Sequence, residues 1–234
     1  EELQRPRTSM KIARELYALL KIEKIKGPII LVGQSIGALY AQHYTHLHPN
    51  QIKGVLLINP ITVDYPLFRK KVHGAIVANF ISQKSRFSFA RFLSSYGLIR
   101  LLNIRPYEKM SPSLQSIEGD LISHYSSQKI YTTAFSEYGR GLSRSIKKLT
   151  SIKAHIKHPI TVITTKPTVI RKNLLTYKLP YKEIEKIIKI RAHAIKNLTI
   201  YSQTKKVIYS NESKYLHIYE PDVIIKAIKG MIRL

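Results

Sequence analysis

The stretch GPIILVGQSIGALYAQHY, Gly27 to Tyr44, constrains the fold of this chain more than any other. An apolar run, Pro28 to Val32, leads without a break into Gly33-Gln34-Ser35-Ile36-Gly37, and a helical pattern, Ala38 to Leu47, leaves it. G-x-S-x-G alone is a weak pattern, because small residues meet at that spacing by chance. Placed between a buried strand and a helix, it is the setting of a nucleophile elbow, a strained turn that presents a serine hydroxyl at the edge of a sheet. The serine must take an unusual backbone conformation, so the positions two residues before and after it should lack bulky side chains; Gly33 and Gly37 meet that condition. Ser35 would then sit at a helix N-terminus, where the Ile36 backbone N–H can face a developing oxyanion. The alternative is a glycine-rich turn whose serine merely caps the helix.

Three further apolar runs have the look of buried parallel strands: Gly54 to Ile58, Pro159 to Ile163 and Lys206 to Tyr209. Helical patterns lie beside them at Tyr181 to Ser202 and Asp222 to Ile232. This alternation predicts an α/β fold with a parallel sheet flanked by helices. Thr62 to Lys157 is too long for an ordinary crossover and shows several helical segments without a convincing strand, which predicts an inserted helical cap. The expected organisation is a core of residues 1–61 and 158–234 with a cap of 62–157. Near the start, Met10, Ile12, Ala13, Leu16, Leu19 and Leu20 form a helical stripe that runs into the strand before Ser35, with no strand ahead of it. Either the protein begins here or an N-terminal part of the fold is missing.

The elbow strand, its helix and the next strand, PIILVGQSIGALYAQHYTHLHPNQIKGVLLINP, resemble those of the α/β-hydrolase superfamily, with Asn-Pro where many members have Asp-Pro. SKYLHIYEPDVIIKAIKGMI resembles that family's histidine loop and last helix. The resemblance covers the chain from Gly27 onward and implies a serine hydrolase acting on a carboxylic ester or similar small acyl substrate, with no cofactor. It also implies upstream strands and an oxyanion loop that this sequence does not contain, so a second oxyanion donor is absent from the chain as given.

A serine hydroxyl needs an imidazole within reach to take its proton. His43 stands two helical turns beyond Ser35, a rise of about 12 Å, and cannot be that base. His46 and His48 lie near the helix C-terminus and read as surface residues. His43 and His46 could share a face as metal ligands, but no third ligand has a recognisable spacing, so no metal is expected. The resemblance places the base in the loop before the last helix, where His217 is the one histidine. When Pro221 is set on the family's proline, however, Lys214 falls on the catalytic histidine's position. Three readings stay open: His217 serves from a shifted loop, Lys214 replaces it with a lowered pKa, or the site is impaired and the chain is a binding protein. The usual position for the orienting acid, TVITTKPTVIRKN, holds no carboxylate. Some members place the acid after the strand that follows the elbow, which here gives Asp64; its other reading is a turn residue beside Pro66.

Lys and Arg outnumber Asp and Glu by 39 to 14, a net charge of +25. A field of that sign attracts anionic surfaces. The lysines are nevertheless scattered, as composition alone would produce, and no dense basic block or aromatic-basic motif points to nucleic acid. A weak association with an anionic membrane surface stays open. No signal peptide opens the chain and no apolar run is long enough to span a membrane. In the cap, RFSFARFLSSYGLIRLLNI, Arg86 to Ile104, alternates apolar residues with arginines. It reads as a lid over an acyl pocket or a membrane-facing helix, or else as a helix that packs its apolar face inward; the need to bury one side favours the last.

Overall fold

The computed structural model describes residues 6–66, 87–102, 116–176, 179–212 and 215–233. The chain divides into two compact units: Thr8–His73 with Arg144–Leu234, and Glu1–Arg7 with Gly74–Ser143.

The first unit holds a four-stranded sheet in the order β1 (Ile29–Gln34), β2 (Ile52–Ile58), β3 (Ile160–Thr165), β4 (Lys205–Ser210). All its pairings are parallel, with Gln34 opposite Ile58, Ile58 opposite Ile163, and Thr165 opposite Ser210. The C-terminal ends of the strands therefore share one edge. Parallel strands need crossovers, and these cover both faces of the sheet. On one face, Val55, Leu57, Ile160 and Val162 pack with Ala13 of α1 (Ser9–Ile22) and with Ala38, Ala41 and Tyr44 of α2 (Gly37–Leu47). On the other, Leu56, Ile58 and Ile163 pack with Leu216 and with Ala227 and Met231 of the helix Pro221–Ile232. Central strands buried on both sides are why these runs read as continuous apolar sequence instead of alternating. β4, by contrast, is an edge strand whose exposed Lys205 and Lys206 discourage further pairing.

The four apolar runs were placed within two residues of the observed strands at each end. The helix Pro167–Leu175 has no counterpart among the expected elements. Its signal is a proline at the first helical position, and its apolar residues are too few to give a clear stripe.

The described part of the second unit is helical: residues 87–95, Leu98–Leu101, Glu118–Tyr125 and Gln128–Ser136. Arg7 ties its two sequence segments together, its amide donating to Ser136 Oγ and its Nε to Glu137 Oε1, both at 3.1 Å. Arg91 lies over the Phe135 ring at 5.3 Å, and the Phe87 and Tyr138 rings meet at 5.5 Å. The expectation that the helix at Arg86 to Ile104 packs its apolar face inward is corrected over its described residues. Phe89, Phe92 and Tyr96 are 63%, 56% and 69% exposed. Periodicity identified the stripe, but it carries no information about which way a stripe faces.

Candidate active site

Ser35 follows the last residue of β1 and holds φ at 52°, in the left-handed region. For a residue with a Cβ this costs about 1–3 kcal/mol and persists only where neighbours impose it. Here β2 imposes it. The Ser35 N–H donates to the Ile58 carbonyl at 2.9 Å, and the Ser35 carbonyl accepts from the Ile61 N–H at 2.9 Å and from the Ala38 N–H at 3.2 Å. The turn brings Gly33 against Gly37: a Cβ on Gly33 would lie 2.6 Å from the Gly37 carbonyl oxygen. A Cβ on Gly37 would meet nothing within 4 Å, so the expectation that both glycines are needed for space is corrected. Gly33 is the steric requirement.

The Ile36 amide, at the N-cap of α2, donates no hydrogen bond among the described residues. An unpaired N–H at a helix start, one residue beyond a half-buried serine, has the chemistry of an oxyanion donor.

His217 lies in a short helix, Leu216–Tyr219, that follows β4. Leu216 is fully buried against Leu56, Ile58 and Ile163, and the next side chain, His217, faces outward and is exposed. Its ring packs edge-on to Tyr215 at 6.4 Å. Asp64 accepts a hydrogen bond from Asn197 Nδ2 at 3.3 Å. No hydrogen bond among the described residues joins Ser35 to His217, or His217 to Asp64. Lys214 lies outside the described residues.

A polar seam that the sequence did not reveal runs along the strand ends from the elbow toward the histidine. Asn59, also left-handed with φ at 42°, donates its N–H to the Ile163 carbonyl at 2.8 Å, and its Oδ1 accepts from the Thr165 N–H at 3.0 Å and hydroxyl at 3.1 Å. The Lys166 N–H donates to the Ser210 carbonyl at 2.9 Å. Ser210 Oγ lies 2.9 Å from Glu220 Oε2, to which it donates, and accepts from the Glu212 N–H at 2.8 Å. Each strand end is thus locked to the next, and His217 hangs from a segment fastened at both ends. The one available signal was the polar residue closing each apolar run: Asn59, Thr165 and Ser210.

The remaining histidines occupy other settings. His43 is fully buried, its Nδ1 2.6 Å from Ser9 Oγ, while the Ser9 N–H donates to Ser145 Oγ at 2.8 Å. Burial pushes its pKa down to about 4, with nearby His46 and Lys148 acting in the same direction. His46 is exposed, as expected. His48 is not a free surface residue: it is half-buried and stacks on Tyr17 with ring centroids 3.9 Å apart and planes at 6°. Among the described residues no group of three His, Asp or Glu side chains could hold a metal ion.

No family model and no curated protein matches this chain in sequence. Solved structures match in fold. ALR0039 of Nostoc sp. PCC 7120, assigned to the α/β hydrolases, superposes with a TM-score of 0.65 at 13% identity, over 96% of this chain and 72% of its own. A protein of Pseudomonas aeruginosa assigned as an epoxide hydrolase gives a TM-score of 0.63 at 12% identity, over 97% and 72%. MGS-M2, an α/β hydrolase from a Medee basin deep-sea metagenome library, gives 0.54 at 17% identity, over 98% and 74%. With its parallel sheet, its flanking helices and its serine turn, this chain has the fold of the α/β-hydrolase superfamily.

Proposed function

We propose that this chain is a serine hydrolase acting on carboxylic esters or similar small acyl substrates. The observation that carries the reading is Ser35 itself, held left-handed between β1 and α2 over a glycine that no other residue could replace without moving backbone. In this reading Ser35 Oγ attacks the carbonyl carbon and its proton passes to His217. The Ile36 N–H takes the oxyanion, and Asp64 orients the imidazole once the Asn197 bond is exchanged for it. Collapse of the intermediate expels the alcohol with the proton from His217, and water then releases the acid by the same steps in reverse. Est816, an N-acyl homoserine lactone degrading enzyme of similar fold, with a TM-score of 0.51 at 13% identity, supports an acyl substrate class.

A fluorophosphonate reagent tests this directly, because it reacts with an activated serine and not with an exposed one. Peptide mapping is expected to find the adduct on Ser35 in the folded protein and none after Ser35→Ala.

A second reading has its own observation. No hydrogen bond among the described residues joins Ser35, His217 and Asp64, which favours an impaired relative kept for binding. Folded protein that leaves Ser35 unlabelled at high reagent concentration would decide for it, and would leave Lys214 as a replacement without function.

A further inference from the structure

The helical unit presents an apolar face to water. Phe89, Phe92 and Tyr96 are spaced three and four residues apart, which places them on one side of the helix that covers 87–95 and its following turn. They are 63%, 56% and 69% exposed, and the Phe92 and Tyr96 rings meet edge-on at 5.1 Å. In the next helical turn Leu101 and the following Leu102 are also 78% and 62% exposed, beyond the buried Ile99. The helix is anchored from its other side, through Phe87 on Tyr138 and Arg91 over Phe135. The stripe is therefore not a helix waiting to turn inward. The exposed Arg100 next to Leu101 brings positive charge to this stretch.

We propose that this face docks on an anionic lipid surface, with Phe89, Phe92 and Leu101 entering the headgroup boundary and Tyr96 and Arg100 staying among the headgroups. Two observations choose that occupant. The chain carries +25, so a second copy would bring its own +25 to the contact, whereas an anionic bilayer supplies the opposite sign. Exposed aromatic rings stand near an arginine, whose long stem covers apolar surface while its head stays in water, and this suits a boundary that is apolar on one side and charged on the other. No described helix is long and apolar enough to cross a membrane, so the contact lies on the surface. This surface is independent of whether Ser35 is active.

The chain contains no tryptophan, so Phe92→Trp introduces a single reporter at the centre of the face. With vesicles of phosphatidylcholine containing phosphatidylserine, its emission is expected to shift to the blue and to be quenched by brominated acyl chains. Pure phosphatidylcholine should give neither effect, and high salt should weaken binding as it screens the charges. Tyr209→Trp, an exposed position on β4, should report no insertion. Co-sedimentation of the Phe89→Ser/Phe92→Ser double variant should show binding weaker by about tenfold or more, because the apolar contribution is lost while the charge is unchanged. Both sites are exposed, and circular dichroism checks that the fold is kept. Equal binding by the double variant would overturn the proposal and leave only diffuse charge attraction. Absence of binding at low salt would overturn it too, as would a dimer that the double variant converts to monomer, which would assign the face to a second copy.

Discussion

Two serine and histidine pairs lie in the sheet-bearing unit, and they are opposites. Ser9 and His43 are in hydrogen-bond contact at 2.6 Å, fully buried between α1 and α2. Ser35 and His217 make no hydrogen bond, yet Ser35 is half-buried beside a free amide and His217 is exposed. The first pair has the contact of a catalytic dyad without access: both side chains are fully buried, and burial holds the imidazole pKa too low to accept a proton near neutrality. The second has access and a neighbouring unpaired amide without the contact. A short distance between hydroxyl and imidazole is therefore a poor mark of catalysis. Access, strain and an unpaired donor say more about what a serine is for.

The largest effect that separates the pairs lies under the elbow. Gly33→Ala forces a Cβ to within 2.6 Å of the Gly37 carbonyl oxygen. It should cost about 1–3 kcal/mol of stability in a denaturant titration. It should also lower the rate of fluorophosphonate labelling at Ser35 by about 10²-fold, since small displacements of a reacting atom are that expensive. Gly37→Ala, with open space around the new Cβ, should change stability by less than about 0.5 kcal/mol and leave labelling intact. Equal effects would mean that the turn is not closed as described.

The second effect belongs to the buried pair and appears in acid. Protonated His43 would carry an N–H on both ring nitrogens, and Nε2 is buried with no hydrogen-bond partner. The unfolded chain accepts a proton near the ordinary histidine value of 6.5, while the folded chain refuses it until about pH 4. Between those values the unfolded state holds more protons, so stability falls as pH drops through the window and is flat below it. The loss from this residue should reach about 1–3 kcal/mol. Thermal melts across that range should show it in the native chain and lose it in His43→Gln. A smaller effect at the same pair is expected from Ser9→Ala, about 1 kcal/mol from the lost hydrogen bond, with no change in labelling. Loss of labelling there would make the buried pair part of the active site and undo the contrast.

Much of this was legible in sequence where local physics decides. The strands were legible because sheets covered on both faces need unbroken apolar runs, and the elbow because a glycine, a serine and a helix start meet at a strand end. His43 was set aside by helical rise alone. The polar seam was not legible. Asn59 meets Thr165 across 106 residues and Thr165 meets Glu212 across 47, and threonines and serines at strand ends look like ordinary loop residues. The stacking of His48 on Tyr17 was equally hidden, since it depends on how α1 crosses α2. The segment Arg86 to Ile104 is legible as amphipathic, but the exposure of Phe89, Phe92 and Tyr96 is not, because a pattern marks a face and not its direction.

The left-handed backbone at Ser35 has a consequence for mutational drift. At φ of 52° glycine fits better than any residue with a side chain, so Ser35→Gly would relieve strain of about 1 kcal/mol. A lineage with no use for the hydroxyl would have a stabilising exit available at this position. The chain has not taken it. In the proposed reaction the Ser35 hydroxyl is the nucleophile, and that use would hold serine where the backbone favours glycine.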